Sequence, residues 1–439
     1  MSNWGNYPVI DAHIRSFGSE NELSILLERP EDMIPRGLGR CYGDSSLNST
    51  IVSTHRFNRI RAFDEQTGTI TCESGVSLRE ITDIFVPRGW FLPTTPGTKQ
   101  VTVGGAIASD VHGKNHHGAS SFSRHVAEMD VMLSDGKAVT CSRDENSELF
   151  WSTCGGMGLT GVILNASFQL QSVETAFIKS ETIKTRSLDE IFVLFEASAG
   201  WTYSVAWMDL TSTGKNRGRA VLNRGDHASL SDLVTTKYYR KHLAPTTKRQ
   251  LPVPFFLPGF TLNKYSVALF NTLYYTRSSG RTSKSIIDID SFFYPLDSLA
   301  DWNRMYGTRG FTQYQFALPK ESSKAGLSNV LKKMESGGPG PFLSVLKLFG
   351  KQEGILSFPM EGYTLAMDFP VSEKTFKLLD ELDRIVLDHG GRLYLTKDAR
   401  MSGHVFRKGY ENADLFIAHK YKFDKINKFQ SLQSQRIGV

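Results

Sequence analysis

The 439-residue sequence has few cysteines and no long apolar run. Its four cysteines, Cys41, Cys72, Cys141 and Cys154, show no C-x-x-C spacing, so neither a zinc site nor a disulfide framework is expected. No stretch of about 18 apolar residues occurs, and the first residues lack a basic segment followed by an apolar one. We therefore expect no membrane-spanning helix and no secretory signal, and a reducing, cytoplasmic location.

The chain also lacks a large excess of one charge for its length. The formal net charge is +6, which favours anionic ligands or an anionic membrane surface over a dedicated nucleic-acid surface. The apolar fraction of 40% is ordinary for a globular chain. Because the length exceeds that of a usual single core, two domains are the default expectation.

Glycine, in contrast, is concentrated in residues 93–118, PTTPGTKQVTVGGAIASDVHGKNHHG. Glycines allow positive φ angles and expose backbone N–H groups, which a long anionic cofactor with a pyrophosphate needs along its length. The polar cluster that begins at His112 would lie at the reactive end of the bound molecule. Residues 35–44, PRGLGRCYGD, form a second such stretch, in which arginine forks and N–H groups can share two phosphates. The alternative is a surface turn with solvated arginines.

The G-x-G-x-x-G match at residues 156–161 has the wrong neighbours for a dinucleotide-binding fold. A helical turn capped by Asp144 is predicted before it, and an alternating strand over 162–170 after it, whereas the fingerprint needs the reverse order. These glycines are instead predicted to allow close backbone packing beside the cofactor. The dipeptide Asp135-Gly136 predicts a hairpin, and Ser372 is predicted to cap a helix over 373–389.

The motifs RGLGRCYGD, PGTKQVTVGGAIASDVHGKNHH and ELFWSTCGGMGLTG resemble the FAD-binding domain of the vanillyl-alcohol oxidase superfamily. Within it the chain is most similar to the decaprenylphosphoryl-β-D-ribose 2-oxidase family, because FYPLD, YQF, KLFG and TKD follow in the same order. The resemblance implies an α+β fold of two domains. Residues 1–175 would form a PCMH-type FAD-binding domain, residues 176–391 an inserted substrate domain with an antiparallel sheet and helices, and residues 392–439 a return to the first domain.

The resemblance also implies site residues. Lys397, His112 and Tyr42 would be catalytic, and which of them is the base stays open; without the resemblance, Lys397 would be a solvated lysine after a strand over 392–396. Substrate would be bound by Tyr294, Gln313, Gln315, Lys347 and Lys397, because amides suit hydroxyls and lysine suits an anion. FAD would be bound by Arg36, Gly37, Leu38, Gly39, Arg40, Cys41, Tyr42, Gly43, Gly97, Thr102, Val103, Gly104, Gly105, Ser109, Asp110, Val111, His112, Val162 and Tyr394.

The attachment of FAD is expected to be non-covalent. Superfamily members that attach FAD covalently near the first loop use a histidine in a G-x-G-H-S-like motif, and here Arg40 and Cys41 hold that place. No metal is expected either, because no carboxylate or cysteine joins His112, His116 and His117 to complete a ligand set.

The implied activity is FAD-dependent oxidation of a secondary hydroxyl to a ketone on a polyprenyl-phosphate-linked pentose. This would be the oxidative half of an epimerisation that a reductase partner completes. The alternatives are a soluble alditol or aldonolactone oxidase that uses oxygen and needs no Lys347, and a non-enzymatic anion-binding protein. Family members with the decaprenyl substrate have Asn and Cys where this chain has Thr364 and Ala366, so the resemblance leaves the lipid and the sugar open.

Residues 237–260 join a basic, aromatic half to an apolar half that three prolines interrupt, which forbids a long helix. One prediction is a loop that contacts the inner face of an anionic membrane. The other is an ordinary loop whose phenylalanines fill a core. The basic residues of the first prediction are Lys237, Arg240, Lys241, Lys248 and Arg249.

Overall fold

The computed structural model describes residues 1–244, 250–277, 280–335 and 340–439, so Lys248 and Arg249 lie outside the described residues. The strands of the N-terminal part are β1 (His13–Ser16), β2 (Ile34–Arg36), β3 (Thr50–Ser53), β4 (Ile60–Asp64), β5 (Thr69–Glu73), β6 (Trp90–Phe91), β7 (Val126–Met132), β8 (Ala138–Ser142), β9 (Val162–Gln169) and β10 (Gln171–Ser172). The helices there are α1 (Glu20–Leu27), α2 (Leu78–Phe85), α3 (Val103–Ala108), α4 (His116–Ala119) and α5 (Ser147–Thr153).

The N-terminal part contains a small parallel sheet in the order β1-β3-β2 and an antiparallel sheet in the order β4-β5-β9-β7-β8. The predicted hairpin is confirmed: β7 and β8 are joined through Gly136, whose φ of 79° suits the Asp-Gly turn. Strand β9 follows residues 156–161, where a Cβ on Gly156 would lie 2.0 Å from the carbonyl oxygen of Ser152 and one on Gly161 would lie 2.6 Å from Cγ1 of Val131. The glycines therefore allow close backbone packing, as predicted.

The helix before these glycines begins later than expected. Its N-cap is Asn146, at a φ of 47°, and not Asp144. The hydroxyl of Ser142 accepts from the N–H groups of Asp144 and Glu145, which makes a turn of these residues before the helix begins. The prediction of Asp144 as the cap was wrong because this turn depends on Ser142, which lies in the preceding strand.

The C-terminal part begins with the long strand β11. Its strands are β11 (Phe177–Thr185), β12 (Tyr203–Met208), β13 (Ala220–His227), β14 (Leu251–Pro252), β15 (Thr282–Asp288), β16 (Leu299–Ala300), β17 (Phe311–Pro319), β18 (Ser344–Phe349), β19 (Gly362–Pro370) and β20 (Arg392–Leu393). Its helices are α6 (Leu188–Glu196), α7 (Leu230–Leu233), α8 (Lys264–Arg277), α9 (Ile289–Phe293), α10 (Lys320–Glu335), α11 (Glu373–Asp388), α12 (Gly403–Gly409), α13 (Ala413–Phe423) and α14 (Leu432–Ile437).

Eight antiparallel strands form one sheet in the order β15-β11-β13-β12-β18-β19-β17-β20. Helices α6, α10 and α11 cover one face, where Tyr314 and Phe316 of β17 pack in the core. Because side chains alternate along a strand, Gln313 and Gln315 point to the opposite face. The predicted helix is α11, and Ser372 caps it by accepting from the N–H of Thr375. The α+β architecture is confirmed.

The last segment of the chain returns to the N-terminal part. The hydroxyl of Ser152 in α5 lies 2.9 Å from Nδ1 of His419 in α13, and the Arg436 guanidinium bonds Asp44. The predicted strand over 392–396 was wrong beyond Leu393. The last backbone hydrogen bond to β17 is from the N–H of Tyr394 to the carbonyl of Gln315, and the N–H of Lys397 donates to the carbonyl of Tyr394 to close a 3₁₀ turn. The three domain ranges stay a prediction.

Candidate active site

A cavity of about 830 Å³ lies between the glycine-rich segments and the face of the eight-stranded sheet opposite helices α6, α10 and α11. This volume is near the upper end of ordinary ligand pockets, about 300–1,000 Å³. One wall is formed by residues 35–42 and by much of 95–114, and the opposite wall by side chains of β12, β17, β18 and β19. The cavity therefore brings together the two stretches that the sequence marked as ligand-binding.

Glycine is required where these stretches meet. A Cβ on Gly37 would lie 2.2 Å from Oγ1 of Thr102, which itself caps α3 by accepting from the N–H of Gly105. Gly39 has a φ of 62°, where side chains are unfavourable. Within the described residues, the N–H groups of residues 37–41 donate to no protein acceptor. This loop presents bare N–H groups to the cavity, as an anion requires.

The arginines of this loop bond to the N-terminal segment. Nε of Arg36 donates to the side-chain oxygen of Asn3 at 3.1 Å, and Nη2 donates to the carbonyl of Ser2 at 2.9 Å. The Arg40 guanidinium lies 4.1 Å from the ring centroid of Trp4. Backbone N–H groups, more than arginine forks, are thus what the loop offers to phosphates.

Most of the predicted cofactor residues line the cavity: Arg36, Gly37, Leu38, Gly39, Arg40, Cys41, Tyr42, Gly97, Thr102, Gly104, Gly105, Ser109, Val111, His112, Val162 and Tyr394. Three do not. Val103 lies in the hydrophobic core, and a Cβ on Gly43 would lie 1.8 Å from the carbonyl oxygen of Asp398. The buried carboxylate of Asp110 accepts from the N–H of Ser123 and from the amide of Gln352, and burial raises its pKa to about 6.

His112 lies against the sheet at one end of the cavity. The Gln315 amide donates to Nε2 of His112 at 3.1 Å and to the Thr364 hydroxyl at 3.2 Å. Nδ1 of His112 is buried and has no partner among the described residues. Burial, with a contribution from the charge of Lys347, holds the pKa of His112 well below its usual range. His112 is therefore neutral and already accepts a hydrogen bond.

Lys397 and Tyr42 contact each other in the same region. Nζ of Lys397 lies 3.7 Å from the ring centroid of Tyr42. Burial lowers the pKa of Lys397 to about 7, although the carboxylate of Asp368 acts in the opposite direction. Burial raises the pKa of Tyr42 well above its usual value, so its hydroxyl keeps its proton. Lys397 is not a solvated lysine, and it is the side chain of the two that can lose a proton near neutral pH.

Asp368 is a site residue that the sequence analysis missed. It is fully buried, accepts from the Gln313 amide and the Tyr306 hydroxyl, and has its pKa raised by burial. The signal was alternation: Thr364 bonds Gln315 and Ala366 lines the cavity, and Asp368 is the next residue of β19 on that side. Trp4, Val205 and Trp207 also line the cavity and were not predicted, and Lys114, in the polar cluster that begins at His112, lines it without having been assigned a role.

Four of the five predicted substrate residues, Gln313, Gln315, Lys347 and Lys397, line the cavity, and Tyr294 does not. The Tyr294 hydroxyl lies 2.8 Å from Oγ1 of Thr95, which does line it. Tyr294 was expected to reach substrate but instead supports Thr95, because its ring is enclosed by the core around Phe293.

Comparison with known proteins supports the cofactor and the chemistry. A family model for the FAD binding domain matches residues 20–142. The decaprenylphosphoryl-β-D-ribose oxidase of Mycolicibacterium smegmatis is 37% identical over 413 residues, which are 93% of this chain and 89% of that protein. The chain belongs to the decaprenylphosphoryl-β-D-ribose oxidase family. It is an FAD-dependent oxidoreductase that acts on a CH–OH group.

Other relatives are similar over different lengths. An uncharacterized protein from the mprA 5′ region of Streptomyces coelicolor is 31% identical over 374 residues, 83% of this chain and 100% of that protein. L-gulonolactone oxidase of Mus musculus is 26% identical over 189 residues, 40% of this chain and 42% of that protein. The aldonolactone oxidase alternative is therefore not favoured.

The cavity fits FAD by its own chemistry. Bare N–H groups at 37–41 suit a pyrophosphate, and His112, whose Nδ1 has no partner among the described residues, lines the same cavity.

At the protein surface, Phe255 and Phe260 of the predicted loop are 62% and 77% exposed, so they do not fill a core. Within the described ranges, each helix is too short or too polar to cross a bilayer.

Proposed function

We propose that this chain oxidises a secondary hydroxyl of a polyprenyl-phosphate-linked pentose to a ketone, the oxidative half of an epimerisation. The observation that carries the proposal is the sheet wall of the cavity, where the amine of Lys397, the amides of Gln313 and Gln315 and the ammonium of Lys347 lie together. FAD, when bound, supplies a hydride acceptor for the carbon that bears the hydroxyl. The protein must then bind the sugar, accept the hydroxyl proton and hold the phosphate.

Lys397 is the proposed base. A general base works best when its pKa is close to the working pH, and burial lowers the pKa of Lys397 to about 7. Tyr42 keeps its proton, and Nε2 of His112 already accepts from Gln315. Tyr42 would donate a hydrogen bond to the sugar, and His112 would hold Gln315 in place.

The two glutamines would bind the remaining sugar hydroxyls. Gln313 is held by the carboxylate of Asp368, and Gln315 by His112 and the hydroxyl of Thr364. Each side chain amide is thus fixed by a neighbour before substrate binds, which lowers the entropy cost of binding. Ala366, which is directly opposite Gln315 on β19, leaves room for the sugar ring.

The exposed apolar surface near the cavity supports the proposal that the substrate carries a lipid. Phe270 and Tyr274 of α8 line the cavity, while Tyr265, Leu269 and Leu273 of the same helix are exposed. With Phe255 and Phe260 they would rest on a membrane surface from which the polyprenyl chain enters. The ketone product would pass to a reductase that returns a hydride to the opposite face of the same carbon.

The test is anaerobic mixing of the FAD-containing protein with a polyprenylphosphoryl pentose, an alditol and an aldonolactone. Bleaching of the flavin by the first compound, with a product lighter by two hydrogen atoms, is the expected result. Bleaching by the alditol or the aldonolactone alone would contradict the proposal and restore the aldonolactone oxidase alternative.

A further inference from the structure

Two half-buried lysines of the cavity wall lack a neutralising carboxylate. Lys397 interacts with the charge of Asp368, but no carboxylate of the described residues acts on Lys114 or Lys347. Outside the cavity, by contrast, Lys99 is paired with Asp290 at 3.0 Å. A charge that is withdrawn from water without a partner is costly. Two such lysines on one cavity therefore indicate that an anion binds there.

The strand register places these two lysines close together. In the β12–β18 pair, Trp207 is opposite Val345 and Ala206 is opposite Leu346, so the next step sets Val205 opposite Lys347. Directly opposed residues have Cβ atoms about 4.5–5.5 Å apart. The N–H of Ser204, the residue before Val205, donates to the carbonyl of Lys114 at 2.9 Å. Lys114 and Lys347 therefore flank Val205.

The Lys114 ammonium is held in position before any ligand binds. It donates to the carbonyl of Phe292 and lies 4.5 Å from the ring centroid of Phe292 and 5.7 Å from that of Phe293. An ammonium has three N–H donors, so donors remain for a ligand. The like charge of Lys347 lowers the pKa of Lys114 further than burial alone, which agrees with their proximity.

We propose that Lys114 and Lys347 together bind the phosphate group of the substrate above Val205. This inference rests on the proposed function and adds the orientation of the substrate in the cavity. The pentose would then lie toward Gln315 and Lys397. The polyprenyl chain would leave over Trp207, whose ring centroid is 4.7 Å from that of Tyr274 in α8.

Binding of decyl phosphate and of decanol to the FAD-containing protein, measured by calorimetry, tests the site without turnover. Lys114→Met and Lys347→Met should each weaken decyl phosphate binding by about tenfold or more, the loss of one charge-assisted bond, and leave decanol binding unchanged. Lys99→Met is the matched control and should change neither. Inorganic phosphate should bind more weakly than decyl phosphate and depend on the same two lysines.

A Lys114→Met protein that binds decyl phosphate as the Lys99→Met control does would overturn the proposal, as would equal losses for decanol. If Lys114→Met does not retain FAD, Lys114→Gln replaces it under the same criteria. The two proposals can fail independently. If decyl phosphate binding depends on both lysines but a phosphopentose does not bleach the flavin, only the proposed reaction is contradicted. Bleaching by the phosphopentose with Lys114-independent binding would contradict only the anion site.

Discussion

Replacing Lys397 tests the chemical step. Lys397→Ala should still fold and bind FAD, because the Nζ contact that it loses is with the ring of Tyr42 and not with the bare N–H groups of residues 37–41. Flavin bleaching by substrate should slow by about 10²–10⁴-fold, the usual contribution of a general base. His112→Ala should differ, since His112 lies in the cofactor segment, and its loss should weaken FAD retention as well as the rate.

The pH dependence follows from the pKa of Lys397. The base must be neutral, so the bleaching rate of the parent should fall as pH decreases below about 7, where the ammonium form prevails. The carboxylate of Asp368 favours the ammonium form. Asp368→Asn should therefore lower the pKa of Lys397 and move the acid limb of the profile to lower pH.

Anaerobic stopped-flow absorbance isolates this half-reaction from the electron acceptor. A Lys397→Ala rate within about threefold of the parent rate would refute the assignment, because a general base contributes far more. An acid limb that is unchanged in Asp368→Asn would show that another group titrates. In either case His112 or Tyr42 would become the better candidate.

Three further results are expected. Lys347→Ala should raise KM for a phosphorylated lipid sugar much more than for a phosphate-free analogue, since a charge-assisted bond contributes about 1.5–3 kcal/mol to binding; equal effects on both would remove Lys347 from the phosphate site. Trichloroacetic acid should release all the FAD from the protein, because Arg40 and Cys41, and not a histidine, follow Gly39; flavin left in the pellet would contradict this. Gly39→Ala should weaken FAD binding by about tenfold, since a left-handed residue costs about 1–2 kcal/mol, whereas Gly200→Ala, outside the cavity lining and with nothing within 4 Å of its Cβ, should bind FAD as the parent does.

Local signals predicted the elements that local contacts stabilise. The Asp-Gly turn, the Ser372 cap and the alternation of β9 each depend on neighbours in the sequence, and each was confirmed. The end of β20 and the turn at Ser142 depend on where pairing with another strand stops and on a side chain outside the helix. Patterns within one segment do not contain that information.

The site shows the same division. The glycine-rich stretches predicted which segments form one wall of the cavity, because exposed backbone is a property of glycine itself. The position of Asp368 beside Gln313, and the support of Thr95 by Tyr294, join residues far apart in the chain. Lys114 and Lys347 come close together only because β12 lies beside β18. These relations needed the folded sheet.

The most direct test of the account is hydride transfer from a polyprenylphosphoryl pentose labelled with deuterium at the carbon that bears the oxidised hydroxyl. Under anaerobic conditions, the labelled compound should bleach the flavin more slowly than the unlabelled one, and the ketone product should have lost its deuterium. Equal bleaching rates together with a product that retains the deuterium would show that this carbon is not oxidised, and would contradict the proposed reaction.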